Sequence, residues 1–77
     1  MTTAFLLISV DLGAEDNVIG ELRKMPNVKE ADVTYGVYDI VARIEAESMQ
    51  KLKEIVTSKV RQLENVRSTL TTIVVEE

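Results

Sequence analysis

Two short runs carry the polar side chains that could recognise something: Tyr35-Gly36-Val37-Tyr38-Asp39 and Ser68-Thr69-Leu70-Thr71-Thr72. In the first, Gly36 permits a positive φ and so a tight connection. Asp39 opens the segment that follows, where its carboxylate either caps the turn or meets a cation. In the second run, Thr69 and Thr71 share one side of an extended chain. Threonine is a good strand former, so β-propensity alone accounts for the run. Small hydroxyls on one face can also receive a ligand carboxylate, which leaves Asp39 as the candidate for that ligand's ammonium.

Covalent and metal chemistry find little support. The chain has no cysteine and no histidine. Disulfides, thiolate metal sites and nucleophilic triads or dyads built on those residues are therefore excluded. No short loop collects the several acids that an oxygen-ligated cation needs. The three glycines are dispersed and form no phosphate-cradling loop. No pair of acids stands out for acid–base work: Glu30 and Asp32 alternate with apolar residues, Glu45 and Glu47 fall at a strand end, and Glu76 and Glu77 read as a frayed terminus. No cofactor, no metal and no enzymatic activity are expected.

The net charge of −4 and only three aromatic residues argue against direct nucleic-acid binding. Arg23-Lys24 and Lys51 with Lys53 lie beside acids and read as solvated helix surface. The apolar run Ala4 to Val10 is too short to cross a bilayer and has no cationic leader. A cytoplasmic location is the expectation.

Hydropathy periods place these residues on a regular frame. Residues 3–10 read as a strand, and Ala14 to Met25 as a helix with apolar Val18, Ile19 and Leu22 at helical spacing, stopped by Pro26. Val28 to Tyr35 alternates as an edge strand, Gly36 interrupts, and Tyr38 to Glu45 alternates again with Tyr38, Ile40, Ala42 and Ile44 on one face. Ser48 is a good N-cap for a second helix whose apolar stripe runs from Met49 to Leu63. A last strand covers about Val66 to Val75. The halves echo each other: Asn27-Val28-Lys29 leads to Thr34 as Asn65-Val66-Arg67 leads to Thr72. The predicted architecture is a single α+β domain, 1–77: a ferredoxin-like βαββαβ sandwich with a four-stranded antiparallel sheet, order 4-1-3-2, and both helices on one face.

That arrangement predicts assembly. Strand one is apolar on both sides, Leu6, Ile8 and Val10 on one and Phe5 and Leu7 on the other. Two helices cover only one side of a sheet. Phe5, Leu7, Val41 and Ile73 are therefore expected to form an uncovered apolar face that pairs with a second copy, face to face or as a shared barrel. A chain this short is only marginally stable alone, which favours such pairing.

The pattern resembles the effector-binding (RAM) domain of the Lrp/AsnC feast-and-famine regulators over essentially the whole chain. The resemblance rests on Gly36-Val37-Tyr38-Asp39 followed by Ile40-Val41-Ala42-Arg43-Ile44, on Val66-x-x-Thr69-x-Thr71-x-Ile73-Val74, and on Met25-Pro26-Asn27-Val28. It implies sheet-paired dimers that assemble into rings of dimers, with an amino acid bound between dimers. By position it implies effector contacts at Gly36, Tyr38, Asp39, Thr69 and Thr71, with Tyr35 and Ser68 as neighbours. Full regulators also carry a helix-turn-helix, which this sequence does not show. It therefore looks like a stand-alone sensing domain whose output passes through a partner such as a full-length Lrp/AsnC regulator. Two other readings remain at this stage: a purely structural assembly module, and a small dimeric α+β barrel enzyme in which only Arg43 could act from within a strand.

Overall fold

The computed structural model describes residues 1–75. Glu76 and Glu77, expected to fray, lie outside the described residues. The elements follow the order β1 (Thr2–Val10), α1 (Glu15–Arg23), β2 (Val28–Val33), β3 (Ile40–Ala46), α2 (Met49–Ile55) with a π-type turn (Val56–Val60), and β4 (Val66–Ile73). The sheet order is β2-β3-β1-β4, with every neighbouring pair antiparallel. This is the predicted topology, read from the opposite edge.

One face of the sheet makes the core. Ala4, Leu6 and Ile8 of β1 and Ile40, Ala42 and Ile44 of β3 are almost completely buried. They meet Val18 and Leu22 of α1 and Leu52, Ile55 and Val60 from the second helical segment. Among the described residues no polar or charged residue is buried with them. The period-two burial of β1 and β3 is what alternating apolar residues in half-covered central strands dictate.

The helices are capped unequally. The Ser48 hydroxyl accepts from the Lys51 N–H at 3.1 Å, as its type predicts. Ala14, at the start of α1, has no side-chain cap, and its own N–H donates to the Asp11 carbonyl. The long second helix foreseen from Met49 to Leu63 instead widens after Ile55. Arg61 N–H reaches back five residues to the Val56 carbonyl, and the Gln62 side-chain amide donates to the Thr57 carbonyl. The β-branched pair Val56-Thr57 weakens α-helical preference at that point.

Both outer strands contain a bulge at the repeated tripeptide. In β2, Val28 pairs with Ile44 but Glu30 pairs with Arg43, so Lys29 is extra. In β4, Val66 pairs with Val10 but Ser68 pairs with Ser9, so Arg67 is extra. An extra residue reverses which side of the sheet every later residue faces. Val66 faces the core, and after the bulge so do Thr69, Thr71 and Ile73, opposite Ile8, Leu6 and Ala4. This corrects the expectation for Ile73, which packs against the core instead of joining Phe5, Leu7 and Val41 on the open face. Leu70 takes that place, opposite Leu7.

Strand β3 begins two residues later than its alternation predicts, at Ile40 instead of Tyr38. The reason lies in the turn that precedes it.

Candidate functional site

The β2–β3 connection is built around Asp39. Its carboxylate accepts from the Val10 backbone N–H at 2.9 Å, and its own N–H donates to the Ile8 carbonyl at 2.9 Å. The side chain thereby takes the place of a backbone acceptor where the β1–β3 ladder stops, and it pins the hairpin to the end of the central strand. Thr34 closes the loop from the other side: its N–H donates to the Asp39 carbonyl and its hydroxyl to the Tyr38 carbonyl. Gly36 has φ +155°, a backbone conformation that a Cβ would strain. Tyr38 is half-buried, while Tyr35 and Val37 project fully into solvent at the tip.

Thr69 and Thr71 sit elsewhere. They line a groove of about 470 Å³ between β4 and the second helical segment, facing Lys53, Thr57 and Arg61, with Val56 and Ile73 as its apolar lining. None of Gly36, Tyr38 or Asp39 borders it. Strand β1 lies between β3 and β4, so the turn and the threonines are separated by two strand spacings, about 10 Å. Within one protomer the two motifs that sequence reading joined into one site do not form one.

Lys53 reads from the sequence as solvated helix surface, and Arg61 carries no signal of its own there beyond complementing the helix C-terminus. The signal that could have singled them out is the spacing 53–57–61, four residues at each step, which aligns the three on one helical face. What concealed the alignment was the missing parity of β4, since only the Arg67 bulge turns the threonines toward that face.

The open side of the sheet carries Phe5, Leu7, Val41 and Leu70, all partly or substantially exposed. Arg43 lies on the same side opposite Phe5, and its guanidinium donates to Glu30 at 3.0 Å and to Glu45. Both of those carboxylates neutralise it. An arginine so engaged is a poor candidate for acid–base or anion chemistry.

Comparison with known proteins places these features in a family. The model of the Lrp/AsnC ligand-binding domain matches residues 3–77. The chain belongs to the Lrp/AsnC ligand-binding domain family. A helix-turn-helix-type transcriptional regulator of Pyrococcus furiosus is 31% identical over 75 residues, covering 94% of this chain and 50% of that protein. The chain thus spans about half the length of the curated relatives it matches. The crystal structure of FFRP-DM1 superposes with a TM-score of 0.94 at 37% identity, covering 97% of this chain and all of that one. A transcriptional regulator of Neisseria meningitidis, solved as an L-Met complex, shares the fold at a TM-score of 0.89 and 19% identity, over 99% of this chain and 51% of that one. The Lrp/AsnC ligand-binding domain is a regulatory module of transcription regulators and not an enzyme family. Among the described residues, no helix is long and apolar enough to cross a membrane.

Proposed function

We propose that this Lrp/AsnC domain is a cytoplasmic sensing and assembly module, acting as one domain over residues 1–77, that binds an amino acid at boundaries between subunits. One observation carries the reading: the Gly36-Tyr38-Asp39 turn and the Thr69/Thr71 groove lie on separate surfaces of one protomer. A ligand that engages both sets must be held by the turn of one copy and the groove of another. Sheet pairing through Phe5, Leu7 and Val41, joined by Leu70, supplies the dimer, and contacts between dimers supply the composite site in a ring. A full-length Lrp/AsnC regulator sharing these surfaces would carry the output to transcription, with no direct nucleic-acid contact by this acidic chain. The mechanism is linkage: an effector that binds one assembly state better shifts the population toward it. The L-Met complex of the Neisseria regulator supports an amino acid as the ligand class.

The competing reading, an assembly module without a ligand, draws support from Asp39, one of whose carboxylate oxygens is already committed to Val10. A thermal-melting screen against the twenty amino acids, run with light scattering, separates the two. An amino acid that raises the melting temperature and shifts the particle size establishes the sensor. Asp39→Asn, which keeps an acceptor for Val10, should then abolish the shift while the domain still folds. If no amino acid moves either signal, the sensor reading fails.

A further inference from the structure

Within the groove that Thr69 and Thr71 line, there is an imbalance of charge. The protein as a whole carries −4, yet the helical wall of this groove contributes two cations, Lys53 and Arg61, and among the described residues no acid borders it. Among the described residues neither cation joins an ion pair, as is also true of Lys29, Lys51 and Lys59, but of these only Lys53 and Arg61 line the groove. Glu54, next to Lys53 in the chain, lines the adjoining surface groove, which shares Lys53 and Thr57 as its wall but does not reach Arg61 or the strand threonines. The two cations bracket Thr57, four residues before and four residues after it. Three threonine hydroxyls, from residues 57, 69 and 71, supply neutral donors between them.

From this arrangement we infer that the effector is a dicarboxylic amino acid, aspartate or glutamate, selected over its own amide by Lys53 and Arg61. The inference rests on the reading above that Thr69 and Thr71 contact the effector. One carboxylate of such a ligand takes the planar fork of Arg61, which matches a carboxylate bidentately. The other takes Lys53, a compact charge on a flexible stem. The threonines donate to the remaining carboxylate lone pairs. A neutral side-chain amide in the same place leaves one cation without a counter-charge, and a cationic side chain meets like charge. Selectivity here is a difference between two affinities, set as much by rejecting the wrong charge as by attracting the right one.

The test is calorimetric titration of the full chain with glutamate, glutamine, aspartate, asparagine and lysine, at low and at high salt. The acidic ligands should bind about fivefold tighter than their amides, the order expected of the one solvent-exposed ion pair by which they differ. The margin should shrink as salt screens the charges. Combining Lys53→Ala with Arg61→Ala should bring glutamate and glutamine to within about twofold, and both side chains are exposed, so folding is preserved. Lys53→Glu should reverse the preference toward glutamine. If amides or apolar amino acids bind as well as the acidic ones, this inference is overturned and the sensor reading stands. If no amino acid binds, both fall. If Lys53→Glu changes the oligomeric state and leaves the ratio of glutamate to glutamine affinity untouched, the cations serve a subunit contact and the inference is overturned.

Discussion

Asp39 does at residue scale what a longer β1–β3 ladder would otherwise do. Its carboxylate satisfies the Val10 N–H from 29 positions away in sequence, and the same residue's N–H holds Ile8. Removing the acceptor leaves a partly buried donor without a partner, which costs about 1–3 kcal/mol. Asp39→Ala should therefore lower the melting temperature by roughly 5–15 °C in a domain of this size. Asp39→Asn retains the hydrogen bond without its charge assistance and should lose less than about 1 kcal/mol. Scanning calorimetry on the two variants checks the ordering. Equal losses would mean that the charge of Asp39, and not its hydrogen bond, holds the hairpin. The distinction bears on function, because a ligand screen with the alanine variant alone would confuse a missing ammonium contact with a loosened turn.

At the scale of elements, most of the architecture could be read from periodicity, and the errors share one cause. Element order, sheet order and the buried sides of β1 and β3 follow from alternation and helical spacing in strongly patterned segments. The start of β3 and the face of β4 do not, because each depends on a contact distant in sequence: Asp39 with Val10, and the register of Val66 against Val10. Strand β4 has apolar residues at both parities, Val66 and Leu70 on one count and Ile73 on the other, so alternation alone leaves its face undecided. The echo of Asn27-Val28-Lys29 in Asn65-Val66-Arg67 was visible as a repeat, and its structural meaning is a bulge at the basic residue of each copy. The same ambiguity hid the groove, since the threonines reach Thr57 and Arg61 only from the far side of that bulge. A deletion separates the backbone role of Arg67 from its side chain. Arg67→Ala removes only a long, exposed ion pair to Asp11 and should cost less than about 0.5 kcal/mol. Deleting Arg67 forces either Val66 or the Thr69–Ile73 row out of register with the core and should cost more than about 2 kcal/mol. Urea denaturation midpoints report both, and similar costs would refute the bulge as the determinant of β4's face.

For the whole molecule, the decisive quantity is the apolar surface that its two helices leave uncovered. The accessible surface is 5115 Å², against about 4,700 Å² expected for a monomer of this mass. Part of that surface is the open side of the sheet, where Leu7 is flanked by Val41 on β3 and Leu70 on β4, with Phe5 41% exposed two residues away. A second sheet laid on this one would bury the row and share the cost of a small core between two chains. The ion cluster of Arg43 with Glu30 and Glu45 sits on the same side and would fall toward the polar margin of such a contact, because charged residues are depleted at interface centres. Pairing of this kind makes stability depend on concentration, since a partner that binds only the folded state stabilises it by mass action. The melting temperature of the wild-type protein should accordingly rise with protein concentration, and sedimentation equilibrium should return a dimer or a multiple of one. Leu7→Glu, at the centre of the row, should give a monomer whose melting temperature no longer varies with concentration. Leu12→Glu, at a fully exposed loop position, should behave as wild type. A wild-type chain that sediments as a monomer and melts independently of concentration would remove the open face from the account, and with it the geometry by which two protomers could complete one site.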